Sequence, residues 1–224
     1  MDTTAVFEAE RQAMVQGQLR RRGIRSERVL EAMAGVPRHE FVPLAQLPAA
    51  YADRALPIGR QETISQPYIV AVMTEAVAIR PGDQVLEIGT GAGYQAAILA
   101  YLGARVYTME RNPELAEEAR RRLARLGYSG VEVITGDGSQ GYAAAAPYDA
   151  ILVTAASPSV PQALLDQLAD GGRLVIPVGG RHEQRLELIV KAGDRIIRSS
   201  LEACQFVPLV GKEGWPEGRP GWME

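Results

Sequence analysis

Val85-Leu86-Glu87-Ile88-Gly89-Thr90-Gly91-Ala92-Gly93 is the stretch that decides the fold. A short apolar run carries one acidic residue and then breaks into three glycines at alternate positions. Tyr94 to Leu102 follows with helical spacing. Strand, glycine-rich turn and helix form the unit by which α/β folds present backbone N–H groups and a helix N-terminus to a nucleotide-like ligand. Glycine suits such a turn because the backbone enters regions closed to other residues and the ligand approaches it closely. An ordinary glycine-rich βα turn looks the same in isolation, so the surrounding chain has to decide between the two.

Working outward, Pro67 reads as the first residue of a helix to about Ile79, with Ile69, Val72, Met73, Ala76 and Val77 apolar. Pro81-Gly82-Asp83 then turns the chain into the glycine-bearing strand. Downstream, Gly103 stops the first helix and Arg105 to Met109 is a second strand ending in Glu110. Asn112 and Pro113 open a helix with Glu at its start and Arg at its end, matching the helix dipole, and Gly127 stops it. Val131 to Thr135 is a third strand, ending in Gly136-Asp137-Gly138, and Ala150 to Thr154 a fourth. Pro161 to Leu168 reads as a helix, Gly171-Gly172 as a turn and Leu174 to Val178 as a fifth strand. Such alternation predicts a parallel sheet with helices on both faces. Leu186 to Val190 and Arg195 to Leu201, separated by Gly193-Asp194, read as a closing β-hairpin, with Phe206 to Val210 prolonging its second arm.

The N-terminal part differs. Val6 to Arg22 places Val6, Phe7, Met14, Val15 and Leu19 on one helical face, and Ser26 caps a second helix with Val29, Leu30 and Met33 facing inward. Pro37, Pro43, Pro48 and Pro57 punctuate an irregular stretch that has the character of a binding loop. The expected fold is therefore α/β: a Rossmann-like, doubly wound, mostly parallel sheet with a C-terminal β-hairpin and an N-terminal helical and loop extension. One domain is expected over 1–224, with the extension at 1–66, the core at 67–211 and a tail at 212–224 in which Trp215 packs on the body and Trp222 is loose.

The 224 residues are 46% hydrophobic and 23% charged, the balance of a globular protein, with a formal net charge of -3. Without a basic surplus, nucleic acid is a poor partner. Cys204 is the single cysteine, which fits a reducing compartment and reads as a buried small residue rather than a nucleophile. With no signal-peptide core and no bilayer-length apolar run, a cytoplasmic protein without membrane contact is expected. Neither His39 nor His182 has a ligand-spaced partner with Cys204, so no metal site is expected.

In an open parallel sheet, ligands bind beyond the C-terminal strand ends near the switch point. There the glycine turn meets Glu110, about 20 residues downstream, where a carboxylate can accept ribose hydroxyl hydrogens. Asp137, between two glycines, is placed to accept from an adenine amino group. A dinucleotide site expects G-x-G-x-x-G, and here Gly89, Gly91 and Gly93 are one residue short. Glu87 inside the strand suits a cationic ammonium better than a pyrophosphate. Both features favour S-adenosylmethionine over NAD.

The segment from Leu86 to Gln95 resembles motif I of class I S-adenosylmethionine-dependent methyltransferases, in the form of protein-L-isoaspartate O-methyltransferases. Also similar to that family are Thr63-Ile64-Ser65-Gln66-Pro67, the stretch Val36 to Pro43, Gly136-Asp137-Gly138, and Phe206-Val207-Pro208-Leu209-Val210-Gly211. The resemblance covers roughly Met14 to Trp215, and its Thr-Ile-Ser-Gln-Pro and Phe-Val-Pro-Leu blocks are the specific ones. It implies methyl transfer from S-adenosyl-L-methionine to the free α-carboxyl of isoaspartyl residues in damaged proteins. The ester then cyclises unaided to a succinimide whose hydrolysis returns some aspartate. It further implies Ser65 as the active-site residue, with Thr63, Ile64, Glu87, Gly89, Thr90, Gly91, Gly93, Glu110, Asp137 and Gly138 at the cofactor. Val207, Pro208, Leu209 and Val210 are implied at the substrate, and the acting unit is expected to be a monomer.

A free α-carboxyl has a pKa of about 3.3–3.7 and is ionised at neutral pH, so this nucleophile needs no general base. His39 and His182 accordingly need no catalytic role. Two departures stand out. The family usually has Gly-Gln before Thr-Ile-Ser, where this chain has Gln61 and Glu62, and often Arg where this chain has Gln205. Losing the glycine is expected to stiffen the loop, and Glu62 to weaken acceptor affinity or raise the pH optimum. The rival readings are another carboxyl methyltransferase, an NAD-dependent oxidoreductase and a non-catalytic nucleoside sensor. An amino-group methyltransferase expects Asn/Asp-Pro-Pro-Tyr where this chain has Thr154-Ala155-Ala156-Ser157-Pro158.

Overall fold

Val85, Leu86 and Ile88 are buried, and so is Glu87 between them. A strand buried on both faces belongs at the centre of a sheet with helices on either side. The computed structural model shows that arrangement and describes residues 3–180 and 183–218. His182 and Trp222, named above, lie outside the described residues.

The N-terminal helix is two pieces rather than one. α1 (Thr3–Met14) continues as a π-helical segment, Val15–Arg20, whose widened turn coincides with the weak helix former Gly17. Met14, Val15 and Leu19 are buried, whereas Val6 faces solvent. α2 (Glu27–Gly35) starts at Ser26, whose Oγ accepts from Val29 N, and Val29, Leu30 and Met33 are buried as expected. The proline-rich stretch forms two 3-10 turns, Arg38–Phe41 and Leu44–Ala49, and then a short hairpin of β1 (Leu56–Gly59) and β2 (Glu62–Ile64). Periodicity did not reveal this hairpin, because its strands are three and four residues long and one contains Pro57. Arg60 and Gln61 turn it with φ of 51° and 63°, a left-handed conformation that costs non-glycine residues about 1–2 kcal/mol each.

α3 (Pro67–Val77) ends where Ala78 adopts a left-handed conformation. β3 (Gln84–Ile88), α4 (Tyr94–Tyr101), β4 (Arg105–Glu110), α5 (Pro113–Arg125), β5 (Glu132–Thr135) and β6 (Tyr148–Val153) follow the predicted alternation. Asn112 caps α5 by accepting from Glu114 N and Leu115 N. α6 (Gln162–Asp166) is short, and β7 (Leu168–Gly179) begins earlier than expected. Gly171-Gly172 lies inside β7, beside an irregularity in its pairing with β6, and is not a separate turn. β8 (Gln184–Ala192) and β9 (Arg195–Cys204) form the closing hairpin.

The seven strands run β5-β4-β3-β6-β7-β8-β9, parallel through β7 and antiparallel beyond. The order reverses between β3 and β6, and an apolar cluster fills each face. Phe206 to Val210 does not extend β9. Pro208 cannot donate to a ladder, and the segment crosses the strand tips, where Ala156 N donates to Val207 O and Leu209 N to Ala156 O. No helix among the described residues is long and apolar enough to cross a membrane. Cys204 is half-buried, its thiol pushed up to about 11 by burial, so it carries no activated thiolate.

Candidate active site

The switch point between β3 and β6 opens into a cavity. Gly89 forms its floor with φ 97°, where a side chain would run into Thr154 Oγ1, which donates to the carbonyls of Ile88 and Gly89 at 3.0 and 2.7 Å. Thr90 and Gly91 complete the lining turn. Gly93 does not reach the cavity. It starts α4 at φ 91°, and a Cβ there would stand 3.2 Å from Leu123, so its task is close packing of α4 on α5.

Glu87 projects into the cavity from β3, fully buried. Its Oε2 accepts from Thr108 Oγ1 at 2.5 Å, and Thr108 is linked to Thr90 Oγ1 at 2.7 Å. Its Oε1 has no partner among the described residues. Burial, with a smaller push from Glu110 and against the Thr108 hydrogen bond, raises this carboxyl to about 8. A second buried lining acceptor, Gln95 Oε1, is likewise unpartnered. Glu110, 6% exposed at the end of β4, accepts from Gly91 N and Asn112 N at 2.9 Å each and keeps acceptor capacity toward the cavity.

The opposite wall comes from segments outside the seven-stranded sheet. Thr63, Ile64 and Ser65 line it from β2 and the link to α3, and Val207 to Val210 line it from the crossing segment. Gln66, not Ser65, is the N-cap residue of α3, and no side chain caps that helix. The Ser65 hydroxyl makes no hydrogen bond among the described residues. The helix-cap role open to a serine here is therefore not the one it plays.

Gly138 lines the cavity, but the Asp137 carboxylate does not. Its Oδ1 accepts from Ser139 N and Oγ at 2.9 and 2.7 Å, and its Oδ2 from Gln140 Nε2 and Lys212 N at 3.1 and 2.8 Å. Burial opposes ionisation there, but these hydrogen bonds outweigh it and hold the carboxyl below its ordinary value. The Asp137 carboxylate, for which the sequence suggested an adenine contact, thus clamps the tail from an adjoining recess that shares Arg111 and Val210 with the cavity. Trp215 completes the clamp as expected, donating from Nε1 to Ala156 O at 3.1 Å.

The family model described as protein-L-isoaspartate(D-aspartate) O-methyltransferase matches residues 9–214. The chain belongs to the protein-L-isoaspartate O-methyltransferase family. It is 59% identical over 206 residues to the protein-L-isoaspartate O-methyltransferase of Methanoculleus marisnigri, covering 92% of this chain and 94% of that one. A solved protein-L-isoaspartate O-methyltransferase superposes with a TM-score of 0.78 at 30% identity; it covers 88% of this chain, which spans 65% of the solved chain's length. A Plasmodium falciparum structure described as a protein-L-isoaspartate O-methyltransferase, in complex with S-adenosyl-L-homocysteine, gives a TM-score of 0.77 at 25% identity, covering 88% of this chain and 96% of its own.

The donor of this methyltransferase family is S-adenosylmethionine, and the residues fit it. Two orphaned buried acceptors, one a carboxylate, suit an ammonium group, and Glu110 suits a pair of ribose hydroxyls. Met109, Arg111, Thr154 and Ala155 also line the cavity. They flank strand ends that the alternation predicts, but nothing in their residue types sets them apart. Among the described residues no group of three or more His, Cys, Asp or Glu gathers as a metal set.

Proposed function

We propose that this chain methylates the free α-carboxyl of L-isoaspartyl residues in damaged proteins, with Ser65 positioning the acceptor. The reading is carried by one observation: an unengaged serine hydroxyl lines the same cavity as a buried carboxylate whose second oxygen is unpartnered. When bound, S-adenosylmethionine supplies an electrophilic methyl group on a cationic sulfur. Glu87 holds the ammonium, Glu110 the ribose, and the turn Gly89 to Gly91 lets the backbone approach. Thr63, Ile64 and Gly138 shape the nucleoside pocket, and Val207 to Val210 border the acceptor peptide.

The acceptor carboxylate arrives ionised, so the chain has no proton to remove. Its task is alignment and the exclusion of water, and positioning of this kind is worth about 7–11 kcal/mol. Ser65 donates to one carboxylate oxygen at the start of α3, where the helix end favours an anion. Every residue given a role lines one cavity of one chain, which supports a monomer as the working unit. A single thiol without a cysteine partner supports a cytoplasmic setting.

Initial rates on an isoaspartyl peptide test the assignment. Ser65→Ala is expected to lose roughly 10- to 1000-fold in turnover, the scale of one charge-assisted hydrogen bond, with donor affinity unchanged. Wild-type turnover in that variant removes Ser65 from the mechanism.

A further inference from the structure

Glu62 brings a third carboxylate into the cavity that holds Glu87 and Glu110. It opens β2 directly after the left-handed pair Arg60 and Gln61. Half-buried, its carboxylate makes no hydrogen bond or ion pair among the described residues. The charged groups facing it are Glu110 and Arg111, both from the end of β4. Arg60, two residues before it, is engaged by Glu114 and Glu118 of α5. Arg111 is the one cation among the described lining residues, and it is shared with Glu217 at 3.2 Å. The cavity is therefore biased toward negative charge, and Glu62 is its least anchored member. Burial first, then the like charge of Glu110, push its carboxyl up to about 7, with Arg111 pulling the other way.

The two nucleosides that share this site differ by one charge. The donor carries a sulfonium, and its demethylated product, S-adenosylhomocysteine, is a neutral thioether with the same amino-acid end. We propose that Glu62 sets the charge selectivity of the site: as a carboxylate it favours the sulfonium donor over the spent product, so that product leaves. This rests on the S-adenosyl reading of the cavity. The same charge opposes the anionic acceptor. It appears as pH rises through about 7, so it lowers the pH of best acceptor binding, the reverse of the rise in optimum expected from the sequence.

Titration calorimetry of both nucleosides, at about pH 6 and about pH 8.5, tests this on wild type and Glu62→Gln. The wild-type ratio of product Kd to donor Kd is expected to rise about 3- to 10-fold with pH, the scale of one partly screened unit charge. In Glu62→Gln the rise with pH is smaller. Glu87 also titrates in this range and also acts on the sulfonium, but it is present in both proteins, so the difference between the two pH dependences reads Glu62. A ratio that does not move with pH in the wild type, or that moves equally in both proteins, overturns the proposal. Failure of both nucleosides to bind wild type overturns the S-adenosyl reading itself, a result distinct from binding with an unchanged ratio.

Discussion

Glu110 ends β4 and Asp137 follows the tip of the neighbouring β5, and as residue types they invite the same role. The folded chain separates them. Glu110 is held by two backbone N–H groups from the glycine turn and the α5 cap, and those contacts aim it into the cavity. Asp137 meets its own 3-10 turn and the returning tail, and its carboxylate accepts from Ser139, Gln140 and Lys212. Crowding enforces the separation, since a Cβ on Gly211 would collide with Asp137 Oδ1. A strand-tip acid becomes a ligand or a clamp according to which donors the chain brings to it first.

Substitution at the two acids should show opposite signatures. Glu110→Ala is expected to weaken S-adenosylhomocysteine binding by about 10- to 100-fold, as loss of a charged hydrogen-bond acceptor does, and equilibrium titration reads it. Wild-type affinity in that variant would erase the contrast.

Glu87 sharpens the cavity side of the comparison. Its carboxyl is raised to about 8 in the unliganded chain, so at neutral pH a large fraction carries a proton. A cation placed against it favours the ionised form, so binding should release a proton and tighten several-fold as pH rises toward about 8. For folding the sign is the reverse: because the folded value lies above the unfolded one, this group subtracts stability as pH rises from about 4.5 to about 8. Calorimetry with S-adenosylhomocysteine, which lacks the sulfonium that Glu62 would sense, counts the protons in buffers of different ionisation enthalpy, and a smaller release in Glu87→Gln is the matched control. Equal release from both proteins would contradict the assignment.

Asp137→Ala should have the smallest effect on ligands, less than about threefold, while costing about 2 kcal/mol of stability in denaturant unfolding. Its folded carboxyl lies below the ordinary value, so this contribution is present near neutrality and fades as pH falls through the acid range. A large loss of nucleoside affinity with stability intact would restore the adenine role.

The fold was legible because its elements are long and separated by Gly and Pro at the right places. Gly103, Gly127 and the Asn112-Pro113 start each sit where an element changes. That Glu87 and Glu110 meet in one cavity was legible for the same reason, since β3 and β4 place them by regular geometry. What escaped the sequence depends on contacts between distant segments. The β1–β2 hairpin turns on two non-glycine residues, Phe206 to Val210 has strand composition but crosses the tips, and the Asp137 carboxylate is fixed by residue 212.

The central claim is that one cavity holds an S-adenosyl donor against an already ionised α-carboxyl. Its most direct measurement is transfer of labelled methyl from S-adenosylmethionine to an isoaspartyl peptide and to its aspartyl isomer, side by side, by the purified chain. The account predicts base-labile label in the isoaspartyl peptide and none above background in its isomer. Equal labelling of the two, or none in either while S-adenosylhomocysteine binds, would contradict it.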